Sequence, residues 1–277
     1  MGLFKYYDYY IYLTSFRYQV LDSQQLIIND QSFADAGYVY TFPIVRDGSL
    51  ILLNNTKMMV FDSAAGNSYQ SIDLKGNLQG FELRDFAVTK TGRIYLSSNI
   101  SLGLFQIDGN TVKKHNLNTI SSFLEIVDDH IFYSKLNISG GRFDTTIFCS
   151  TLDDDGDLVP GTEKSLLTIQ GWIPSSHHTT DGKILLRQDV KKHNQHYHNL
   201  LLWDPFRGSI TQRIPVNDSF PRFLKRSGYF LDNFYYWVED QESRPLIPGQ
   251  PFEIKRLKLP KAENCPETNY NLESIRF

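Results

Sequence analysis

The chain has 277 residues, 41% hydrophobic and 14% aromatic, which is enough for a sizeable packed core and too apolar for a disordered chain. A formal net charge of −3, with both signs scattered, lacks the basic stripe that a nucleic-acid binder needs. No run approaches the roughly 20 apolar residues of a membrane helix, and two cysteines, Cys149 and Cys265, make no disulfide framework.

In chain order, one phrase repeats. A turn opens it, at Asp8-Tyr9, Asp47-Gly48, Thr91-Gly92, Asp128-Asp129, Asp181-Gly182 and Asp232-Asn233. A short apolar run follows each turn: Tyr10 to Leu13, Leu50 to Leu53, Ile94 to Leu96, Ile131 to Tyr133, Ile184 to Leu186 and Phe234 to Trp237. Several third runs end on an acidic turn, at Asp22, Asp62, Asp108 and Asp204, with Gly66, Gly109 and Gly208 supplying positive φ beyond. A polar fourth run closes the unit, as at Ser68 to Leu74, Thr111 to Leu117, Lys164 to Ile169 and Ser209 to Val216. The turns recur at spacings of about 37–53 residues, near the ~40–50 of a propeller blade, and helical periodicity is nearly absent.

The expected fold is therefore all-β: a single β-propeller over residues 1–277, with six four-stranded blades. A β-sandwich, or a five-bladed array with an irregular first unit, is the alternative. Ile51, Ile94, Ile131 and Ile184 take equivalent buried positions in this scheme. Leu272 to Phe277 is either the outer strand of the last blade or a latch completing the first.

By this blade phrase the chain resembles the six-bladed propeller superfamily that includes the NHL, YWTD and SMP-30-like groups. Trp203-Asp204 is similar to the WD dipeptide of WD40 repeats, but occurs once and no Gly-His dipeptide opens any unit. YWTD motifs and the sialidase Asp-box are absent.

Five of the seven histidines fall in one unit: His177, His178, His193, His196 and His198. Their spacing suits metal nitrogens, and they are expected to converge at one mouth of the propeller; a solvated loop with a satisfied inner-strand histidine is the plainer expectation. Asp153-Asp154-Asp155-Gly156-Asp157 approaches a calcium loop but misplaces its Gly and Glu, so a solvated acidic hairpin is expected there. Cofactors are expected to be none, with a bound divalent metal as the alternative. Nucleophile elbows and phosphate loops are missing, and the inner-strand acids Glu82, Asp85 and Glu125 read as lining or turn residues.

Connections between second and third strands are short in the first three units and long in the last three: Lys135 to Asp144, Gln188 to Tyr197 and Glu239 to Gln250. Such loops share one face, and long loops on a rigid scaffold carry binding. The expected ligand-binding residues are Arg142, Asp144, Arg187, His193, His196, Tyr197, Glu239 and Arg244. The expected function is a non-enzymatic binding or scaffold propeller engaging a protein or glycan as a monomer; no membrane insertion and no nucleic-acid partner are expected. With no export signal read in the chain, the cytoplasm is favoured. The rival is a propeller enzyme, a hydrolase or lyase on a saccharide or lactone, with or without a metal.

Overall fold

The computed structural model describes the chain except residues 1, 7–8, 14–16, 23, 25–26, 33–41, 47–48, 54–55, 62–69, 79–82, 99–102, 116–122, 180–181, 193–194, 223, 232, 239–252, 260–271 and 277. Six four-stranded sheets follow one another along it. The first holds β1 (Gly2–Tyr6), β2 (Tyr9–Leu13), β3 (Arg17–Leu21) and β4 (Ile27–Ser32). The second holds β5 (Phe42–Arg46), β6 (Ser49–Leu53), β7 (Lys57–Phe61) and β8 (Gln70–Asp73). The third holds β9 (Leu83–Val88), β10 (Ile94–Ser98), β11 (Leu104–Asp108) and β12 (Thr111–His115). The fourth holds β13 (Leu124–Val127), β14 (His130–Ser139), β15 (Arg142–Thr151) and β16 (Lys164–Gln170). The fifth holds β17 (Trp172–His178), β18 (Ile184–Lys192), β19 (Gln195–Asp204) and β20 (Ser209–Val216). After a four-residue helix, α1 (Leu224–Ser227), the sixth holds β21 (Gly228–Leu231), β22 (Phe234–Val238), β23 (Glu253–Lys258) and β24 (Leu272–Arg276).

Each sheet is a meander in chain order, and several of the described turns use residues that tolerate positive φ. Gly109, Gly182 and Gly208 have φ of +58°, +77° and +64°, and Asp128 and Asn233 take the same region at +54° and +66°. The C-terminal strand β24 pairs with β23, as the outer strand of its own sheet, while β1 pairs with β2. A terminal latch between the first sheet and the C-terminus is thereby replaced by two locally complete sheets.

The sheets form two compact units. Residues 1–72 and 219–277 carry the first, second and sixth sheets. Here Ile11 and Val20 pack on Leu50, Leu52, Met59 and Phe61 of the second sheet, while Tyr12 and Leu21 pack on Tyr229 and Ile254 of the sixth. Residues 73–218 carry the third, fourth and fifth sheets. Tyr95 and Leu104 meet Leu124, Ile131 and Tyr133, and Phe132, Ile147 and Ile169 meet Ile184, Leu186, Leu201 and Trp203. The inner strands of this unit also touch: β13 lies against both β9 and β17, and β9 reaches β17.

The acidic stretch 153–157 is not a free hairpin. It reaches from the fourth sheet to the third and closes on it as a clasp. The Tyr95 hydroxyl donates to the Gly156 carbonyl at 2.8 Å and Thr91 to the Asp155 carbonyl at 3.0 Å. Arg93 and Gln106 both donate to Asp157 Oδ1, at 2.5 and 2.7 Å. Gly156, at φ +80°, is required: a Cβ there would stand 2.7 Å from the Thr91 hydroxyl. The expectation of a purely solvated hairpin gives way because its partners lie about sixty residues upstream in sequence, beyond any local pattern.

The clasp titrates. The hydrogen bond from Gln106, and then the Arg93 guanidinium, hold the Asp157 carboxyl below its usual value, against the opposing effect of burial. A depressed folded pKa contributes stability that is present above the unfolded value of about 3.9 and is lost as pH falls through the folded value. The wild type should therefore lose more melting temperature than Asp157→Asn between about pH 6 and about pH 3. Parallel pH profiles for the two proteins would remove the carboxylate from the clasp.

Candidate functional site

The segments expected as long loops are long hairpins. β14 and β15 run ten residues each and stay paired from His130↔Thr151 to Ser139↔Arg142. Gly140 and Gly141 close them with φ of +55° and +78°, the two positive values a tight hairpin turn needs. In the fifth sheet β18 and β19 stay paired out to Lys192↔Gln195. The polar residues misled because these hairpins extend past the core, where both faces of a strand meet water and alternation of polarity fades. Residues 239–250 lie outside the described residues, as do Glu239, Arg244 and His193.

The two hairpins stand at the same end of the unit. The Gly171 amide donates to the Phe143 carbonyl at 2.7 Å, and a Cβ on Gly171 would lie 2.6 Å from the Asp189 carbonyl oxygen. Only glycine, here at φ +95°, lets the chain pass that close from β16 into β17. Near the tips sit three of the four exposed large hydrophobics among the described residues. Ile138 (65% exposed) and Phe143 (38%) face each other across β14 and β15, and Tyr197 (47%) lies on β19 opposite Val190.

The expected binding residues separate. Arg142 is exposed at the hairpin end, Asp144 is half-buried between Asn137 and Gln170, and His196 is exposed on β19. Arg187, expected as a surface anion binder, is buried, with Nε donating to Asp189 Oδ1 at 2.9 Å. The same oxygen stands 2.7 Å from His198 Nδ1, and His198 Nε2 stands 2.6 Å from Asp218 Oδ1. Arg187 is thus an internal partner of Asp189, which follows two residues on along the same face of β18.

The four described histidines of the fifth sheet divide into two pairs. His178 is opposite Ile184 and His177 opposite Leu185, whereas His198 is opposite Asp189 and His196 opposite Lys191. The seven steps along β18 from Ile184 to Lys191 span about 23 Å at ~3.3 Å per residue, so these four do not converge at one mouth. Among the described residues, no group of three or more His, Cys, Asp and Glu side chains is placed to hold a metal ion.

Between the fourth and fifth sheets, beside the hairpins, lies an open groove of about 530 Å³. Val190, Lys192, Tyr197 and Asn199 form one wall, β16 from Thr168 to Gln170 the other, and Arg213 closes it. Its keystone is Gln188, a buried amide. Gln188 Nε2 donates to the Gln170 carbonyl at 2.6 Å, and Oε1 accepts from Asn199 Nδ2 at 3.0 Å and from an Arg213 Nη1 at 2.8 Å. The sequence reading missed this groove; the signal was the shared face of Gln188, Val190 and Lys192 with Tyr197 and Asn199, visible only once the hairpin register is known.

A second polar cluster joins the inner strands. Asp85 on β9 is buried and accepts from the Leu124 amide at 2.9 Å and the Ser176 hydroxyl at 3.2 Å, tying β9 to both β13 and β17. Glu125 on β13, 2% exposed, places Oε2 at 3.2 Å from Nδ1 of His178, which is 38% exposed. Asp85 thus serves as a structural tie, and Glu125 stands beside the Nδ1 of the His178 imidazole. Glu82 lies outside the described residues.

No protein-family model and no curated protein matches the chain. Solved structures do. A streptogramin B lyase is similar at 14% identity over 99% of this chain and 81% of its own, with a TM-score of 0.59. The WD40 domain of Neurospora crassa Pan2 is similar at 15% identity over 95% of this chain and 76% of its own, with a TM-score of 0.55. A gluconolactonase from Xanthomonas campestris is similar at 10% identity over 83% of this chain and 79% of its own, with a TM-score of 0.53. At such identities the likeness speaks for architecture alone, and with the successive four-stranded sheets it makes the chain an all-β β-propeller.

Proposed function

We propose that the chain is a single six-bladed propeller over residues 1–277 that binds a protein or glycan partner, without chemistry, through the end bearing its long hairpins. The blade count is supported by the six four-stranded sheets. The binding reading is carried by one observation: Ile138, Phe143 and Tyr197 are exposed together on two hairpins that extend beyond the core. Exposed apolar groups clustered and rimmed by charge mark interaction surfaces, whereas isolated ones do not. Arg142, Lys191, Lys192 and His196 supply that rim.

The test is a screen of the purified protein on protein and glycan arrays, repeated with Ile138→Ser/Phe143→Ser and with Phe206→Ser. Phe206 is equally exposed but lies in the turn at the far end of the fifth sheet. Array binding should weaken about tenfold or more with the hairpin variant and survive Phe206→Ser. Loss with Phe206→Ser alone would move the site to the other end.

A second reading, a propeller hydrolase or lyase on a saccharide or lactone, is favoured by the Glu125–His178 pair, since a carboxylate behind an imidazole is how a general base is oriented. Turnover of such a substrate that His178→Ala abolishes, with array binding unchanged, would replace the binding reading with this one.

A further inference from the structure

We propose that the groove between the fourth and fifth sheets binds an acidic saccharide; this rests on, and narrows, the reading of the hairpin end as the binding face. Three features of the groove select that chemistry.

The first is charge. The lining contributes two cations, Lys192 and Arg213, and no carboxylate, in a chain whose net charge is −3. Among the described residues neither cation makes an ion pair. Arg213 has committed an Nη1 donor to Gln188 and keeps the rest of its five N–H donors, which suit a carboxylate or sulfate. The second is preorganisation. Gln188 is buried, and its amide holds Asn199 and Arg213 in place from below, so both present their remaining polar atoms without first being ordered. Sugar hydroxyls, which both donate and accept, match an amide and the Thr168 hydroxyl on the facing wall. The third is the aromatic wall. Tyr197 is fixed by its own hydroxyl, which donates to Gln195 Oε1 at 2.5 Å, and leaves a rigid amphipathic ring to cover the apolar face of a pyranose. The volume of about 530 Å³ falls within the ~300–1,000 Å³ of small-ligand sites.

The experiment is calorimetric titration of the full chain with a galacturonic acid tetramer, a neutral galactose tetramer and a tetraglutamate peptide, at low and high salt. The acidic sugar should bind about tenfold or more tightly than either control, and weaken as salt rises. Lys192→Gln, an exposed change that leaves the fold alone, should cost about tenfold, and Arg213→Lys, which keeps charge but loses the planar fork, should also weaken binding. Tight binding of the neutral sugar, equal binding of the peptide, or unchanged affinity in both variants would overturn the proposal. If no sugar binds while the hairpin variant still loses its array partner, this inference falls and the broader reading stands. If the sugar binds and the hairpin variant changes nothing on the arrays, the broader reading falls and the groove stands.

Discussion

Trp203→Ala should lower stability by about 3–5 kcal/mol, the cost of removing a large side chain from a packed core and leaving a cavity. Trp203 is fully buried between the fourth and fifth sheets, and its ring meets Phe132 edge-on at 5.4 Å between centroids and 87° between planes. Such a pairing adds about 0.5–1.5 kcal/mol beyond burial. Its indole Nε1 is buried and has no hydrogen-bond partner among the described residues, so part of its packing gain is offset by a desolvated donor. Trp203→Phe should cost far less than the alanine change, because both remove the buried donor but phenylalanine keeps most of the ring volume. Chemical denaturation of both variants is the measurement, and equal losses would mean that the retained ring recovers none of the packing.

The second large effect concerns Ile51, Ile94, Ile131 and Ile184. Each is fully buried on the second strand of its sheet. The first-strand residues opposite them are Ile44, Val88, Ile126 and His178. Their equivalence does not hold throughout: Ile131 and Ile184 pack toward the preceding sheet, whereas in the second sheet Leu50 and Leu52 do so and Ile51 takes the other face of its strand. Alanine at any of the four should cost about 2–5 kcal/mol, with scatter set by how far the surroundings collapse into the space. Melting curves decide it. Two of the four tolerating alanine without a shift would mean that full burial does not set the cost at these positions.

These isoleucines also show which parts of the molecule local sequence encodes. A turn residue fixes where a strand begins, and period-two alternation fixes which side chains go inward, so the strand phrase and the core could be read directly. Ser209 to Val216 coincides with β20, and Thr111 to Leu117 begins with β12, its last two residues lying outside the described residues. The hairpins failed for a related reason. Lys135 to Asp144 contains Leu136 and Ile138 in alternation and a Gly-Gly turn, but its solvated faces make it look like a loop. The site residues failed differently. Arg187 differs from an exposed arginine only through Asp189 and its surroundings, and Glu125 meets His178 fifty-three positions later. Contacts between sheets depend on how one meander lies on the next, which no window of sequence contains.

The clasp at 153–157 alters what can open on its own. The third sheet has strands of five or six residues, against ten in the longest strands of the fourth. Its Tyr95 hydroxyl, Arg93 guanidinium and Gln106 amide all find their partners in the next sheet's loop. For the third sheet to unfold locally, those groups must give up their bonds while Gly156 and Asp157 lose theirs. The protection of its amides against solvent exchange is thus borrowed from the fourth sheet, and the two behave as one cooperative element in the hierarchy of local openings.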